Sequence, residues 1–548
     1  MAYNIADLFE HAVDVVPDRT GIIVDGEARS YAQLEAAANQ VAANLAAAGI
    51  GPGDHVGIYG PNSPEWMETM LGSFKVRAVP INVNYRYVTE ELTYLFDNAD
   101  LVALVFDAEF AERVEEVRSA CPKLRHLIHI GPANEHTDAL GSIDYHSALA
   151  AESPERVERD RSPDDLYVLY TGGTTGFPKG VMWRQEDVFY ALGGGIDALT
   201  NEPVETEFDL ARKAASSAAG IVSFALAPLM HGAAQWNVLR FLFEGGTTVM
   251  QRRFDPTATW YAMAEHGVNT IMITGDAMGR PIIEAYEEIE DDLDLTSWFG
   301  LASSAAVFSP TVKDRFLEHF PNLMIIDAIG STETGSNGMI TMGKGETAMK
   351  GGGPTVTPGK DATVVDDDLE PVPAGSGIIG RLARTGNVPL GYYKDPEKSA
   401  EVFVIAPDGT RMVLAGDNAL READGSITLL GRGSQCINSG GEKIFPEEVE
   451  QALKAHPDVF DAIVVGVPDE RWGQRVAAVV QPRVGRTPTL ADLDPHCRLH
   501  VAGYKVPREV HLVDQVVRAP SGKPDYPWAK RVAAGDLSVR AADLRPDP

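Results

Sequence analysis

The chain has 548 residues, a formal net charge of −32 and a pI near 4.7. So strong a negative charge argues against sequence-independent binding to nucleic acid and against electrostatic attachment to anionic lipid. At this length we expect more than one structural unit, and a hydrophobic content of 44% is enough to give each unit a core.

The amino terminus and the cysteines both bear on the cellular compartment. Residues 1–19 carry acidic side chains early and lack the basic region and apolar run of a secretory signal. The longest apolar stretch, residues 218–230, is shorter than the roughly 20 residues that span a bilayer. Cys121, Cys436 and Cys497 are too scattered for a disulfide framework or a CxxC metal site. We therefore expect a cytoplasmic protein without a transmembrane segment.

Segments with helical and strand periodicity alternate over most of the chain. Apolar spacing predicts a helix over residues 29–48 and a strand over residues 56–59. This order favours an α/β fold in which helices and sheets pack in layers. The same alternation continues with predicted strands at residues 247–250, 270–274 and 323–326 and predicted helices at residues 256–266 and 310–320.

Residues 170–180, with the sequence YTGGTTGFPKG, form a loop rich in glycine and threonine. Residues 166–170 read as a short buried strand and residues 186–192 as the start of a helix, which places the loop at the carboxyl end of a strand. Glycines allow several amides to converge on one anion, while threonine hydroxyls and a lysine add donors. The loop therefore predicts a phosphate site, with an ordinary glycine-rich connector as the alternative. The residues of this site are Thr171, Gly172, Gly173, Thr174, Thr175, Gly176 and Lys179.

Two other segments match better-known phosphate motifs but lack their context. Residues 338–344 fit GxxxxGK, yet Gly345 stands where a Walker loop needs Ser or Thr, and no buried strand runs directly into the segment. Residues 375–380 fit GxGxxG, but residues 381–386 do not make a convincing long helix. We therefore expect neither a Walker loop nor a dinucleotide site.

The character of the sequence changes near residue 431. Residues 431–434 form a glycine-rich junction, residues 446–456 read as a helix that begins at proline, and residues 462–467 read as a strand. We therefore predict a large layered amino-terminal domain and a small α+β carboxyl-terminal domain joined by a hinge. The predicted domains are residues 1–431 and 432–548.

Five short motifs follow one another over about 350 positions, which makes a chance match improbable. After the glycine loop come DAIGSTE at residues 327–333, AGD at 415–417, GR at 431–432 and PSGK at 520–523. In this order the motifs resemble those of adenylate-forming enzymes, the superfamily of acyl-CoA synthetases, non-ribosomal adenylation domains and luciferases. The chain looks like an acyl-CoA synthetase. The resemblance implies that a carboxylic acid attacks the α-phosphate of ATP, that pyrophosphate leaves, and that the acyl group then passes to coenzyme A with release of AMP.

The resemblance also implies which residues hold the nucleotide. The glycine loop and Lys179 would neutralise the leaving pyrophosphate. Asp417 matches the carboxylate that accepts both ribose hydroxyls, and Arg432 matches a second ribose or phosphate contact. The position of Ile329 is usually aromatic, so aliphatic contact with the base would replace stacking. The residues that would flank adenine are Ser304, Ala305, Ala306, Asp327, Ala328, Ile329, Gly330 and Ser331.

Four residues match catalytic positions of the family. Thr332 would hydrogen-bond the α-phosphate, and Glu333 would hold Mg²⁺ through a carboxylate oxygen. Lys523 would reach the α-phosphate and the attacking carboxylate, and His231 lies in a segment that resembles the gate of the acyl pocket. A surface acid, a solvated lysine and a histidine that only packs are the alternatives.

The same resemblance predicts a moving carboxyl-terminal domain. Lys523 is needed only for adenylation, so the small domain is expected to swing about Ser434 afterwards. Gly440 and Gly441 would then lie beside the pantetheine channel for transfer to coenzyme A. Many relatives have Asp or Lys at the position of Ser434.

The residues after His231 bear on the substrate. The acyl pocket is expected to be lined by three small, uncharged residues, Gly232, Ala233 and Ala234. Relatives that activate amino acids place an acid near this position. A substrate with a neutral, bulky acyl group is therefore expected. Residues 182–185 are similar to fatty-acyl and steroid side-chain ligases of actinobacterial lipid degradation. Gln235, Trp236 and the turn at residues 274–276 are further candidates for the pocket wall.

We thus expect a ligase for a steroid side-chain or long-chain fatty acid. An acyl-AMP ligase that loads a carrier protein would share every adenylation residue and is one alternative. A catalytically dead relative is another, although Lys523 and Glu333 are both present. The sequence leaves the oligomeric state open and is compatible with a homo-oligomer.

Overall fold

The fold is described from a computed structural model of the chain. The described residues are 3–156, 159–171, 177–196, 202–304, 306, 308–343, 349–350, 353–432, 435–439, 442–469, 472–518 and 522–536.

A parallel sheet occupies the amino-terminal part of the chain. Within the described residues it has five strands, all parallel to their neighbours. The longest helix against it begins at Ser30, whose hydroxyl accepts from the Gln33 amide while the Gln33 side chain returns to the Ser30 amide. The strands, in spatial order, are Val79–Val83, His55–Tyr59, Leu101–Asp107, His126–Ile130 and Ile143–Asp144. The helices of this part are Ile5–Val15, Tyr31–Ala47, Pro64–Lys75, Thr89–Asn98, Ala111–Arg118, Glu135–Leu140 and Tyr145–Ala150.

The largest sheet changes from parallel to antiparallel pairing at one strand. Its centre is parallel and fully buried, as at Ile271 and Leu301. Strand Met324–Ser331 is parallel to its neighbour on one side and antiparallel to its neighbour on the other. The antiparallel pairing continues to Ser331, so the strand extends beyond the predicted residues 323–326. The strands in spatial order are Glu27–Ser30, Thr20–Val24, Thr247–Met250, Val222–Ala225, Thr270–Ile273, Gly300–Ser303, Met324–Ser331, Gly335–Met342, Gly353–Pro358, Ile427–Arg432, Asp417–Arg421, Ile379–Arg384, Arg411–Val413 and Phe403–Ile405, with Met349–Lys350 and Ala362–Val365 paired at its side.

Helices follow the strands of this sheet and bury its faces, which confirms the predicted layered α/β class. Helix Pro256–Glu265 is an example. It has proline at its first position, and the carboxylate of the preceding Asp255 accepts a hydrogen bond from the Ala258 amide. Residues 338–342 lie in strand Gly335–Met342, and residues 379 and 380 begin strand Ile379–Arg384, whereas Lys344 lies outside the described residues. The helices are Gln185–Leu192, Asp209–Ser216, Gly232–Phe243, Pro256–Glu265, Gly275–Glu288, Pro310–His319 and Pro396–Val402.

A short antiparallel sheet carries both ends of the glycine loop. Strand Leu166–Thr171 pairs with strand Lys179–Arg184, which pairs in turn with Gly391–Tyr392. The sequence predicted a strand, a loop and then a helix, so the second strand of this hairpin was missed. Val181 and Trp183 are fully buried, and Met182 and Arg184 are partly exposed, which is the two-residue period of a strand.

The carboxyl-terminal part forms a separate sheet, as predicted for a small α+β domain. Its antiparallel pair Val459–Asp469 and Gly473–Pro482 is buried on both faces, and Glu509–Leu512 adds a parallel edge. Strand Ile427–Arg432 still belongs to the large sheet. The other elements are strands Ile437–Ser439 and Glu442–Ile444 and helices Pro446–Lys454, Leu490–Cys497 and Tyr526–Ala533. Among the described residues, no helix combines the length and the apolar character that crossing a bilayer requires.

Candidate active site

The two ends of the glycine loop face each other across the hairpin, with Thr171 opposite Lys179. The Lys179 ammonium forms an ion pair with Asp395 and lies 5.5 Å from the centre of the Tyr392 ring. Tyr392 ends the third strand of this sheet, and Asp395 lies three residues further along the chain. The predicted phosphate ligands between these ends, Gly172, Gly173, Thr174, Thr175 and Gly176, lie outside the described residues.

The turn that carries Thr332 and Glu333 lies beside the same sheet. It joins strands Met324–Ser331 and Gly335–Met342. The Trp183 indole donates to the Thr332 carbonyl at 3.0 Å, and the Tyr392 hydroxyl donates to the Glu333 carboxylate at 3.0 Å. The fold therefore brings the predicted metal ligand, the predicted α-phosphate contact and Lys179 together around Tyr392.

The predicted adenine residues lie at the ends of two adjacent parallel strands, where Ser303 is opposite Asp327. The Asp327 carboxylate forms an ion pair with Lys313 at 2.6 Å. Burial raises the pKa of Asp327, and the Lys313 ammonium acts in the opposite direction. Ile329 packs in part against the cluster that contains Val364, so only its exposed part remains for a base. Ser304, Ala306, Ala328, Gly330 and Ser331 are described at this edge, whereas Ala305 lies outside the described residues.

The predicted ribose residues form a direct cross-strand pair. Asp417 begins one strand, Arg432 ends the next, and the two are opposite each other in an antiparallel ladder. The hinge candidate Ser434 and the pantetheine candidates Gly440 and Gly441 lie outside the described residues.

His231 immediately precedes helix Gly232–Phe243 and lines a small cleft. Its Nε2 atom is buried and has no hydrogen-bond partner within the described part of the chain. Burial lowers the pKa of His231 from 6.5 to about 4, and the positive charges of Arg86 and Lys523 add to this effect. The imidazole is therefore neutral at pH 7. The cleft is lined by Asn82, Asn84, Tyr87, Leu95, Tyr170, Met230 and His231.

We expect this depressed pKa to appear as acid sensitivity. Between pH 6.5 and about 4 the unfolded chain binds a proton at His231 and the folded chain does not, so stability is complete above this window and falls as the pH drops. Between pH 7 and pH 5 the unfolding free energy of the wild type should therefore fall by about 2 kcal/mol more than that of His231→Gln. Urea unfolding of the two proteins at both pH values measures this difference. His266→Gln is the control, and equal slopes for wild type and His231→Gln would contradict the prediction.

Lys523 reaches this site from the carboxyl-terminal domain. Gly522 has a left-handed backbone, with φ of +76°, and an added Cβ would lie 3.1 Å from that of Ala277 and 3.5 Å from that of Ala306. The glycine thus allows the loop to pack directly on the adenine segment. Because the charge of Lys523 lowers the pKa of His231, its ammonium lies near the cleft. This is the domain orientation predicted for adenylation.

The small residues after His231 serve packing more than substrate space. Ala234 has no exposed surface and belongs to the main core, so the expectation that it lines an open acyl tunnel is wrong. An added Cβ on Gly232 would lie 2.4 Å from Leu169, which explains the glycine by close approach to a strand. Ala233 is partly exposed but packs against the same core.

The further candidates for the pocket wall are also engaged in the interior. Gln235 accepts a hydrogen bond from the Tyr167 hydroxyl at 2.7 Å and donates to the Leu229 carbonyl at 2.8 Å. Trp236 is buried, with its ring 5.2 Å from that of Tyr167. Asp276 belongs to the contact between the two domains. These side chains therefore support the site without lining it.

Sequence reasoning missed a buried asparagine that ties the site together. Asn82 donates to the Tyr170 carbonyl at 2.8 Å and to the Met230 carbonyl at 2.7 Å, and it accepts from the Tyr170 amide at 2.8 Å. It therefore fixes the strand that leads into the glycine loop relative to the residue before His231. The signal was an amide side chain inside the apolar run 78–83, where a polar group needs buried partners.

Comparisons with known proteins agree with this geometry. Residues 9–393 match the family described as AMP-binding enzyme, and residues 448–523 match its C-terminal domain. A 3-oxocholest-4-en-26-oate–CoA ligase from Rhodococcus rhodochrous is 51% identical over 97% of this chain and 96% of the relative. A medium/long-chain-fatty-acid–CoA/3-oxocholest-4-en-26-oate–CoA ligase from Mycolicibacterium smegmatis is 50% identical over 97% of both chains.

A solved structure shows the same fold. The anthranilate CoA ligase AuaEII in complex with anthranoyl-AMP superposes with a TM-score of 0.83 and 22% identity, covering 98% of each chain. The α/β architecture with a large amino-terminal and a small carboxyl-terminal domain is therefore that of adenylate-forming enzymes. The chain belongs to the AMP-binding enzyme family.

Proposed function

We propose that the protein is an ATP-dependent acyl-CoA ligase for a bulky hydrophobic carboxylic acid. The observation that carries this proposal is the convergence of Lys179, the turn with Thr332 and Glu333, and Lys523 on one site from three separate parts of the chain. Each of these side chains suits the transfer of a phosphoryl-type group, in which positioning and charge stabilisation do most of the work. The acid would be joined to AMP as an acyl-adenylate and then passed to coenzyme A.

The residues of the site divide the work between the two reacting anions. Lys179 would leave Asp395 and neutralise the pyrophosphate, which makes the ion pair with Asp395 a resting position for the ammonium. Lys523 would stabilise the charge between the carboxylate and the α-phosphate, and Thr332 would hold an α-phosphate oxygen. His231 is neutral and buried, so it would close the acyl side of the site without adding charge.

The donor set around Glu333 fits Mg²⁺. Within the described residues there is no cluster of three or more His, Cys, Asp or Glu side chains that could hold a metal ion. Mg²⁺ is commonly bound by only one or two protein carboxylates together with phosphate oxygens and water. Glu333, with its carboxylate oriented by Tyr392, would be such a ligand. When bound, Mg²⁺ neutralises phosphate charge.

We expect Glu333→Gln to raise the Mg²⁺ concentration that half-saturates pyrophosphate release. The amide keeps the size and the hydrogen bond from Tyr392 but loses the charge, and a contact to a charged group contributes about 1.5–3 kcal/mol, or about 10- to 100-fold. A magnesium titration measures the change. Glu401→Gln, at an exposed helix position, is the control, and a Glu333→Gln curve that superimposes on the wild type would show that this carboxylate is not a ligand.

The substrate class follows from the relatives, whose names include 3-oxocholest-4-en-26-oate and medium/long-chain fatty acids. We propose that this protein accepts acids of the same classes. Thioester formation with free coenzyme A should be measured for a steroid side-chain acid, a long-chain fatty acid and benzoate. A preference of about 100-fold in kcat/KM for one of the first two over benzoate is expected, because a filled apolar pocket discriminates by about 1–3 kcal/mol per missing group. Adenylation without transfer to free coenzyme A would instead indicate a carrier-protein ligase.

The domain organisation extends this proposal. We propose that the two domains divide just after Arg432, one residue beyond the predicted boundary between residues 431 and 432, because Arg432 still pairs within the large sheet. We also propose that Ser434 is the hinge, since the next described strand, Ile437–Ser439, belongs to the sheet of the small domain. Gly440 and Gly441 would meet the pantetheine chain after the swing. A cytoplasmic location and a homo-oligomeric state remain predictions.

A further inference from the structure

One face of helix Gly275–Glu288 carries three charged side chains that contact the carboxyl-terminal domain. They are Asp276, Arg280 and Glu284, which we call the docking stripe. Their spacing of four residues places them on the same face of the helix. The helix belongs to the large domain. Its first turn contains Ala277, the residue against which Gly522 packs. The docking stripe is therefore next to the loop that carries Lys523.

Each member of the docking stripe meets a different element of the small domain. Asp276 lies 3.5 Å from the Lys454 ammonium. Arg280 lies 5.4 Å from the centre of the Phe460 ring, and Glu284 lies 3.2 Å from Arg483. These contacts fix the position and the rotation of the small domain, because three separated points define an orientation.

The contact between Asp276 and Lys454 is buried. The Lys454 side chain is 4% exposed and that of Asp276 is 13% exposed. A buried ion pair contributes little net stability, because desolvation offsets most of the attraction, but leaving one partner alone is strongly unfavourable. Such a pair therefore favours the arrangement of the two domains in which both partners meet.

Asp276 also connects docking to the nucleotide side of the site. Its second carboxylate oxygen accepts from the Ser309 amide at 2.7 Å, just after the segment at residues 304–306. Lys454 has two acidic neighbours in the small domain, Glu450 and Asp461. Burial raises the pKa of Glu450, and the charge of Lys454 acts against this rise. Burial also acts to raise the pKa of Asp461, but Arg518, and to a smaller extent Lys454, lower it overall. Lys454 thus keeps compensating charges when the small domain leaves, so the contact is reversible.

We propose that the docking stripe holds the small domain in the adenylation orientation, and that Asp276 and Lys454 are positioning residues for Lys523. The expected effect on the adenylation rate rests on the proposed function, whereas the contact between the two domains does not. Neither residue would touch substrate. They act by setting the fraction of molecules in which Lys523 reaches the site, and the adenylation rate falls in proportion to that fraction.

The test combines two half-reactions with hydrogen exchange of residues 275–288. Asp276→Asn keeps the oxygen that accepts from Ser309 but removes the charge, and Lys454→Met removes the opposite charge at similar length. Each should lower pyrophosphate release about tenfold and leave acyl transfer from supplied acyl-adenylate within about twofold, since only one orientation is lost. Exchange of the helix should quicken in the substrate-free protein, because the docked domain no longer covers it.

Three controls make the outcomes decisive. The double variant should be no slower than the slower single variant, because both changes break one contact. Lys454→Arg keeps the charge and should restore pyrophosphate release, and Arg498→Met, at an exposed ion pair within the small domain, should change neither readout. Equal losses in both half-reactions, or unchanged exchange of the helix, would overturn the proposal. A wild type that releases no pyrophosphate with any acid would refute the proposed function, whereas exchange would still report the docking.

Discussion

We expect Lys523→Ala to lower the rate of pyrophosphate release about 100- to 1000-fold, the usual effect of removing one charged or polar group that stabilises a developing charge. Lys523 lies near His231 at the cleft, and its loop packs on Ala277 and Ala306 of the large domain. Alanine leaves Gly522 and its packing in place and removes the Lys523 side chain beyond Cβ, including the ammonium. Acyl transfer from supplied acyl-adenylate should remain close to wild type, because Lys523 acts in the first orientation only.

The two half-reactions must be measured separately, as pyrophosphate release with acid and ATP and as thioester formation with acyl-adenylate and coenzyme A. Lys530→Ala is the matched control, since Lys530 is an exposed lysine of the same domain on helix Tyr526–Ala533. Both rates should be unchanged in that variant. Equal losses in the two half-reactions of Lys523→Ala would show that this lysine does not belong to adenylation alone.

The parts of the fold that were predicted correctly are those in which local pattern and burial agree. Strand Thr247–Met250 was predicted with its observed bounds, because a parallel strand buried on both faces reads as a short apolar run. Helix Tyr31–Ala47 lies within the predicted residues 29–48, since its apolar positions repeat with helical period. In both cases the sequence around the element contains the information that determines it.

The elements that were missed depend on partners elsewhere in the chain. The second half of Met324–Ser331 has no apolar alternation and is held by the antiparallel strand that follows it. Strand Lys179–Arg184 follows a glycine loop whose composition is typical of strand-loop-helix phosphate sites, so only the helix at residues 186–192 was predicted and the strand before it was not. Its pairing with Gly391–Tyr392, about 210 residues later, is a long-range contact that local periodicity does not report.

The site shows the same division. Lys179, Glu333 and Lys523 were predicted as site residues because each stands in a short motif of unusual composition. Tyr392 was missed because its contact with Glu333 joins residues 59 positions apart. No local sequence pattern indicates that these two residues are in contact. Ala234 was misplaced for the opposite reason. A small residue leaves space only if its neighbours do not fill it, and here the main core fills it completely.

We expect Asn82→Ala to be the most damaging single change to the framework of the site. Its loss leaves the Tyr170 carbonyl, the Met230 carbonyl and the Tyr170 amide without this partner, and each buried unpaired group is unfavourable by about 1–3 kcal/mol. Urea unfolding should therefore show a loss of about 3 kcal/mol or more, with a raised KM for ATP because the glycine loop shifts. Asn44→Ala is the control, since that side chain is partly exposed, lies on helix Tyr31–Ala47 away from the cleft and is hydrogen-bonded to the His126 ring. If the two variants unfold at the same urea concentration and bind ATP alike, Asn82 does not hold the loop in place.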